Sequence, residues 1–276
     1  MKMIKVLKKI VLVFLVLSLL LVTLYTYFMS PDDYTFSTYQ YVTNKIPADF
    51  NNFKIAFFSD CNLSSSQDIE RFDKIVDELN EKTFDMVIFG GDLYEGDPIE
   101  CEKVSKIFKK IDCQYGKFAV LGEKDTSLLE VSETLNEGGF EVLTDTQRTI
   151  YYKNKKISLL GLNEKKASAV ITEDNKNLFQ LAIVHQPDTF DNNYKNIHLQ
   201  LSGHSHGGFF YFPVLGSLIT DEGCKIYNHG LYTKNNAQLY VTNGIHGTSK
   251  IPYKFLAKNE IKFITFIYNQ ENTNTK

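Results

Sequence analysis

The sequence has 276 residues, of which 43% are apolar and 23% are charged, so it can bury one substantial hydrophobic core with at most a small appendage. Thirty basic residues stand against thirty-three acidic ones, which gives a net charge of −3. A chain without a net positive charge lacks the electrostatic attraction that generally binds a polyanion. The composition therefore argues against nucleic acid as a partner.

The N-terminal region contains an apolar run of membrane-spanning length. Residues 10–29 carry no charge, and a helix of that length covers about 30 Å, the thickness of a bilayer's hydrocarbon core. Lysines precede the run and the next basic residue after it is Lys45, so the positive-inside rule places residues 1–9 in the cytoplasm and the body outside. A cleavable signal peptide is the alternative, but its apolar region usually has about 7–15 residues and no small-x-small cleavage site is obvious here. We expect a retained, single-pass anchor in the cell membrane.

The four cysteines indicate no metal or redox motif. Cys61, Cys101, Cys113 and Cys224 are irregularly spaced, with no Cys-x-x-Cys pair. Two extracellular disulfides are one interpretation, but the position of Cys101 on an apolar helical face favours buried thiols. We expect free thiols.

After the anchor, residues 30–52 are expected to form a linker that can contribute an edge strand. The folded body is expected over residues 53–268, with a C-terminal tail over 269–276. In the first half of the body, short apolar runs alternate with segments of helical periodicity. The runs cover residues 53–58, 86–89, 118–121 and 140–143, and the helical segments cover 69–79, 101–111 and 128–136.

The second half of the body has a different pattern. Residues 150–160 are typical of a hairpin, and residues 239–241 and 261–267 are typical of strands, with few helices between them. Alternation in one half and a strand-rich pattern in the other predict an α/β fold built from two packed, mixed sheets.

Five apolar runs end directly in residues that bind metals or transfer protons. The segments are Phe57-Phe58-Ser59-Asp60, Ile88-Phe89-Gly90-Gly91-Asp92, Val120-Leu121-Gly122-Glu123-Lys124-Asp125, Ile183-Val184-His185-Gln186-Pro187-Asp188 and Leu201-Ser202-Gly203-His204-Ser205-His206-Gly207-Gly208. A single Asp after a strand is more often a helix cap. Because sites in α/β folds form beyond the carboxyl ends of strands, five such segments predict one shared crevice.

The residue types in these segments are those that a pair of divalent cations requires. Two ions about 3.5–4 Å apart need a bridging carboxylate, neutral nitrogen ligands and open positions for water and substrate. His204 and His206 lie on one glycine-flanked turn and can face different ions. A capped polar loop is the competing interpretation of that pair.

The motifs resemble those of the calcineurin-like metallophosphoesterases, most closely a membrane-associated bacterial branch. The family order is Asp-x-His, Gly-Asp, Gly-Asn-His-Asp, His-x-Pro-Asp and Gly-His-x-His-Gly-Gly, and this chain follows it between residue 53 and about residue 266. The resemblance implies a four-layer α/β/β/α sandwich of two mixed sheets flanked by helices, with manganese, iron or zinc as the divalent metal ions. It also implies hydrolysis of a phosphomonoester or phosphodiester by a metal-bridged hydroxide.

The resemblance also implies the roles of individual residues. Asp60, Asp92 and His206 would hold one metal ion, and Asp92, His185 and His204 the other, so that Asp92 bridges them. The expected substrate is a phosphorylated small molecule or a lipid-linked phosphoester at the outer, membrane-facing surface.

Three residues depart from the family pattern. Asn62 stands where the family has a ligand histidine, and Glu123 and Lys124 stand where it has asparagine and histidine. An amide oxygen binds hard cations weakly and a carboxylate binds them strongly. We therefore expect a complete site at Asp92, Glu123, His185 and His204, and a weakened one at Asp60, Asn62, Asp92 and His206.

Lys124 is the expected catalytic residue, because the family histidine lies beside the substrate. A lysine keeps the positive charge and can hold a phosphoryl oxygen, which predicts a slower enzyme. Asp125 and Asp188 are expected either to orient ligands from behind or to cap the following helices. The alternative is a catalytically impaired metal- or phosphate-binding surface protein with the same fold.

Overall fold

The computed structural model describes residues 2–126, 129–163, 165–212, 214–248, 251 and 253–270. These residues form six α-helices: α1 (Lys2–Phe28), α2 (Ser66–Asn80), α3 (Cys101–Lys110), α4 (Leu129–Glu137), α5 (Ala167–Val170) and α6 (Phe190–Asn193). They also form fourteen strands: β1 (Tyr34–Thr43), β2 (Lys54–Phe58), β3 (Met86–Phe89), β4 (Lys117–Ala119), β5 (Phe140–Val142), β6 (Thr146–Tyr152), β7 (Lys155–Leu162), β8 (Gln180–Val184), β9 (Leu199–Ser202), β10 (Tyr211–Phe212), β11 (Gly216–Ser217), β12 (Gly230–Lys234), β13 (Ala237–Val241) and β14 (Asn259–Tyr268).

Helix α1 contains the apolar run found in the sequence. Over Met3–Phe28 it is long and apolar enough to cross a membrane, a criterion that a signal sequence near the N-terminus also meets. Its large apolar side chains are exposed along most of its length, so the other described residues do not supply their apolar environment.

Most strands belong to two six-stranded sheets. The first has the order β1-β14-β2-β3-β4-β5, in which β14 is antiparallel to β2 and the other neighbours are parallel. The second has the order β12-β13-β9-β8-β7-β6, with antiparallel pairs at both edges and parallel strands in the middle. Both sheets are therefore mixed, as predicted. Strand β1 lies within the expected linker and forms one edge of the first sheet.

The two sheets pack face to face and helices cover their outer faces. Phe57 and Ile88 of the first sheet share one buried cluster with Leu159 and Ile183 of the second. A separate cluster joins the outer face of the first sheet to α2, α3 and α4, and another joins the outer face of the second sheet to α5 and α6. The order of layers is helix, sheet, sheet, helix, which confirms the predicted four-layer sandwich.

Local sequence explains why the helices form where they do. The Ser65 side chain accepts a hydrogen bond from the Asp68 backbone nitrogen at 3.2 Å and caps the start of α2. Ile69, Phe72 and Ile75 follow at helical spacing and are buried against the first sheet. The predicted helix over 128–136 corresponds to α4, although Leu128 lies outside the described residues. All four cysteines are free.

Candidate metal centre

The five strand-end segments meet at one end of the sandwich. Asp60, Asp92 and Glu123 follow β2, β3 and β4 of the first sheet, whereas His185 and His204 follow β8 and β9 of the second. Ligand atoms of Glu123, His185 and His204 lie within 4.8 Å of one another, and so do those of Asp60, Asp92 and His185. His185 therefore joins two groups of metal-ligand type.

Backbone carbonyls fix the orientation of the three histidines. His185 Nδ1 lies 2.7 Å from the Gly90 oxygen, His204 Nε2 lies 2.7 Å from the Glu222 oxygen, and His206 Nδ1 lies 2.9 Å from the His246 oxygen. Only a protonated ring nitrogen donates to a carbonyl, so in each neutral ring the other nitrogen carries the lone pair. Metal-binding histidines are held in the same way.

The free ring nitrogens of two histidines point at the Glu123 carboxylate. Glu123 Oε1 lies 3.0 Å from His204 Nδ1, and Glu123 Oε2 lies 3.4 Å from His185 Nε2. His206 Nε2 lies 3.7 Å from Asp60 Oδ1 and is in neither ligand group found among the described residues. Glu123, His185 and His204 thus form the tighter arrangement.

Hydrogen bonds from neighbouring residues position the two buried aspartates, Asp60 and Asp92. Both oxygens of Asp60 lie 3.1 Å from the His204 backbone nitrogen, and the Ser59 hydroxyl donates to Oδ2. The Asp125 carboxylate accepts hydrogen bonds from the backbone nitrogens of Asp92, Leu93 and Gly122 at 2.7, 3.1 and 2.9 Å. Asp125 therefore orients the Asp92 loop from behind.

Asp188 lies further from the centre. Its carboxylate accepts hydrogen bonds from the backbone nitrogens of Lys225, Ile226 and Tyr227. It fixes the 225–227 segment rather than a ligand residue.

The charges of the centre shift its pKa values strongly. Burial raises the pKa of Asp92, but His185 and Lys124 hold it well below the usual range of a carboxyl. Burial also raises the pKa of Glu123, but the His204 hydrogen bond and the charge of His185 lower it to about 2. Burial lowers the pKa of His185, and the Asp92 carboxylate raises it to about 10. The opposite charges of His185 and the two carboxylates therefore shift one another's pKa values.

Two other pKa values are set mainly by burial. Burial lowers the pKa of His206 to about 4, so this ring is neutral at pH 7 and available as a ligand. Burial and the neighbouring charge of Asp92 raise the pKa of Asp125 to about 6.

Lys124 occupies the side of the centre where Asn62 lies. Its Nζ is 3.0 Å from Asp92 Oδ2, 2.9 Å from Glu95 Oε2 and 3.2 Å from Asn62 Oδ1. Burial lowers the pKa of Lys124, but Asp92 and Glu95 raise it above its ordinary value. The ammonium group thus faces the amide oxygen that stands in place of a histidine ligand.

Sequence reasoning missed Glu95 as a member of this cluster. Glu95 follows Asp92 by three residues in the same loop, and its proximity in sequence is the only signal that could have indicated it.

The donor set fits divalent cations. Asp92 Oδ1 and His185 Nε2 are buried and have no hydrogen-bond partner among the described residues, and Asp92 Oδ2 has the Lys124 ammonium beside it. Buried polar atoms of this kind normally have a partner. Carboxylate and imidazole ligands suit manganese, iron and zinc.

The backbone at these positions is unusual. Asp60, Asn62, Asp92, His204 and His206 have φ values of 54°, 44°, 59°, 69° and 50°. Residues other than glycine seldom adopt this left-handed region, and such strain concentrates at functional sites.

A cavity of about 220 Å³ opens over the centre. Its polar wall includes Asp92, Glu123 and Lys124, and its apolar wall includes Phe209 and Ile219. The cavity has room for a phosphoryl group next to the ligand cluster.

The sandwich and its strand-end cluster of carboxylates and imidazoles define a metallophosphoesterase. The family model for calcineurin-like phosphoesterases matches residues 53–208, more than half of the chain, and the chain belongs to that family.

The chain is similar to two curated proteins and to one solved structure. The uncharacterized metallophosphoesterase YkuE of Bacillus subtilis is 29% identical over 232 residues, covering 80% of this chain and 81% of that protein. Phosphodiesterase YaeI of Escherichia coli is 25% identical over 207 residues, covering 70% and 75% respectively. The crystal structure of TT1561 from Thermus thermophilus aligns with 71% of this chain and 91% of that chain at a TM-score of 0.44 and 11% identity.

Proposed function

We propose that the protein hydrolyses a phosphomonoester or phosphodiester with the help of divalent metal ions. The observation that carries the proposal is the convergence of Glu123, His185 and His204 within 4.8 Å, with Asp92 beside His185. The relative YaeI is named a phosphodiesterase, which supports a diester as the substrate. The family also supports a phosphorylated substrate.

The proposed ligands are the residues expected from the sequence. Asp92, Glu123, His185 and His204 would hold one ion, and Asp60, Asn62, Asp92 and His206 would hold a second ion less tightly. Bound there, manganese, iron or zinc would supply Lewis-acid charge to the phosphoryl oxygens and lower the pKa of water.

The contacts of Lys124 support unequal binding of the two ions. Its ammonium group lies on Asp92 and Asn62, where it repels a second cation. The same group lines the cavity and is placed to donate hydrogen bonds to phosphoryl oxygens. Lys124 is therefore proposed as the residue that binds and neutralises the phosphoryl group.

We also propose an anchored organisation. Residues 1–9 form the cytoplasmic tail, 10–29 the anchor and 30–52 the linker that contributes β1. Residues 53–268 form the extracytoplasmic metallophosphoesterase domain, and 269–276 form the C-terminal tail. The length and composition of α1 support the anchor, and a Danio rerio relative is named a transmembrane protein with a metallophosphoesterase domain. Such a location would favour small phosphorylated molecules or lipid-linked phosphoesters.

Hydrolysis of bis-p-nitrophenyl phosphate by the purified full chain with added manganese tests the function. The matched control is Asp92→Ala, which removes the proposed bridging ligand. A wild-type rate well above that of Asp92→Ala is expected.

Equal rates for the two proteins would reject hydrolysis of this diester and favour the second candidate, a binding protein that retains the fold. The replacement of two family histidines, by Asn62 and Lys124, is the observation that favours this candidate. Lys124→His is expected to raise turnover, and an unchanged rate would show that Lys124 takes no part in the chemistry.

A further inference from the structure

An uncharged apolar hairpin follows the glycines of the last ligand turn. We call residues 209–212 and 214–219 the apolar hairpin; the sequence from 209 to 219 contains no charged residue. Strands β10 and β11 pair within it. Val214, Leu215 and Leu218 expose 95%, 76% and 60% of their surface. Large apolar side chains so fully exposed and so close together mark a contact surface.

The base of the apolar hairpin belongs to the catalytic cavity. The Phe209 ring stacks on the His206 ring with centroids 4.8 Å apart. Phe209 and Ile219 both line the cavity. The exposed tip is therefore a direct extension of one cavity wall.

Phe255 links the other side of the apolar hairpin to the C-terminal end of α1. The Phe255 nitrogen donates to the Phe209 oxygen at 2.8 Å, and the Tyr211 nitrogen donates to the Phe255 oxygen at 3.0 Å. The Phe255 ring lies 5.7 Å from that of Phe212 and 6.3 Å from that of Tyr25 in α1. One aromatic side chain thus contacts both the hairpin and the end of the helix.

Polar contacts fix the end of α1 to the same part of the body. Ser30 Oγ accepts a hydrogen bond from the Lys254 nitrogen at 2.7 Å, and the Ser30 oxygen accepts one from Asn259 Nδ2 at 3.2 Å. Asp33 pairs with Lys258 at 3.0 Å. The helix therefore leaves the body at a defined place beside the hairpin.

The sheet register shows which end of the sandwich this is. Tyr34 at the start of β1 pairs with Asn259 at the start of β14. Strand β14 runs antiparallel to β2, with Lys262 opposite Phe57 near the end of β2 that leads to Asp60. The anchor, the apolar hairpin and the metal centre therefore lie at the same end of the molecule.

We propose that the tip of the apolar hairpin inserts into the lipid bilayer that holds α1. The proposal rests on the membrane anchor proposed above, because a helix that ends in the bilayer surface brings Phe255 and the hairpin to that surface. Exposed Tyr27 and its ring contact Tyr253, 5.4 Å away, are of the aromatic type that concentrates at membrane–water interfaces. The cavity would then open against lipid headgroups, which agrees with the lipid-linked substrates proposed above.

The absence of tryptophan from the sequence allows a direct test. Single tryptophans are introduced into the full chain by Leu215→Trp at the tip, Phe14→Trp in α1 and Tyr151→Trp as the control. Tyr151 is 65% exposed and lies in the β6–β7 hairpin, at the end of the sandwich away from the metal centre. Each variant is placed in vesicles of phosphatidylcholine and phosphatidylglycerol, with either ordinary or acyl-brominated chains, and tryptophan emission is measured.

Tryptophan at positions 14 and 215 is expected to emit at shorter wavelength and to lose most of its emission in brominated vesicles, whereas position 151 keeps its emission. Quenching at position 14 without quenching at position 215 would overturn the hairpin contact alone. A blue shift at position 215 that brominated lipid does not quench would indicate a second copy of the chain instead, and would also overturn it. If brominated lipid does not quench the tryptophan at position 14, both the membrane anchor and the contact of the hairpin with lipid are overturned. None of these outcomes depends on hydrolysis, so failure of the membrane contact can be distinguished from failure of the proposed activity.

Discussion

Replacing Lys124 with methionine is expected to strengthen metal binding on the Asn62 side of the centre. Methionine keeps the length and most of the packing of lysine but removes its charge. The change therefore takes away the ammonium group that lies 3.0 Å from Asp92 Oδ2 and 3.2 Å from Asn62 Oδ1. A second cation and this ammonium compete for the same carboxylate.

The size of the effect follows from the geometry. Unit charges about 4 Å apart interact by about 4 kcal/mol at an effective dielectric constant of about 20. The Lys124 side chain is 33% exposed, so solvent screens the repulsion between its ammonium group and the second cation. This screening reduces the expected repulsion energy to about 1–2 kcal/mol. That energy corresponds to a decrease of about 5- to 30-fold in the dissociation constant of the weaker ion.

The assay is manganese stoichiometry by mass spectrometry after equilibrium dialysis against a series of free manganese concentrations. Lys103→Met is the matched control, because Lys103 pairs with Glu100 at 3.2 Å at the start of α3 and is 45% exposed. Asn62→His should add a ligand on the same side, and combining it with Lys124→Met should give two ions that dialysis does not remove.

Two results would refute the reasoning. If the wild-type protein already keeps two tightly bound ions through dialysis, Asn62 and Lys124 do not weaken a site. If Lys124→Met and Lys103→Met show the same second dissociation constant, the ammonium group does not compete with the metal.

Two further substitutions and a pH series test the positioning and the protonation of the ligands. Gly122→Ala would place a Cβ 1.9 Å from Asp92 Oδ1, so the carboxylate must move; we expect an unchanged circular dichroism spectrum and loss of tightly bound metal by mass spectrometry. Asp125→Ala leaves three backbone donors without their acceptor and should lower the free energy of unfolding by about 2–5 kcal/mol in denaturant titrations. Asp188→Ala is the control, because the backbone donors of Asp188 lie in an exposed segment. It should lower the free energy of unfolding by less and leave metal affinity unchanged. The pKa of His185 is raised to about 10, so a proton and a metal ion compete for its ring nitrogen. Manganese affinity should therefore rise with pH up to about that value, by at most about tenfold per pH unit. Calorimetric titrations at several pH values measure this, and a pH-independent affinity would contradict it.

Local patterns in the sequence were sufficient to predict an α/β fold of two mixed sheets and the convergence of its strand-end side chains, whereas the four layers followed from the family resemblance. Apolar runs of strand length that end in Asp60, Asp92 or His185 are visible in the chain itself. The rule that sites lie beyond the carboxyl ends of strands then brings those residues together. The structure places them as that rule requires, in the loops after β2, β3 and β8.

Local patterns could not predict which distant segments pair with each other. The parallel pairing of β1 with β14 joins Tyr34 to Asn259, and no periodicity within either strand encodes its partner. The ion pair of Lys124 with Glu95 depends on the path of two loops, as does the contact of Phe255 with the apolar hairpin. The left-handed backbone at Asp92 and His204 was equally unpredictable, because those residue types do not demand it.

The two replacements in the third motif act as a pair. Where the family has neutral asparagine and a histidine, this chain has Glu123 and Lys124, which together add one negative and one positive charge. The negative charge lies against His185 and His204, whereas the positive charge lies against Asp92 and Asn62. The summed charge of the centre is therefore little altered, but its distribution favours a cation on the Glu123 side and disfavours one on the Asn62 side. We therefore propose that the lysine ammonium supplies part of the charge neutralisation that a second metal ion gives in a two-metal site.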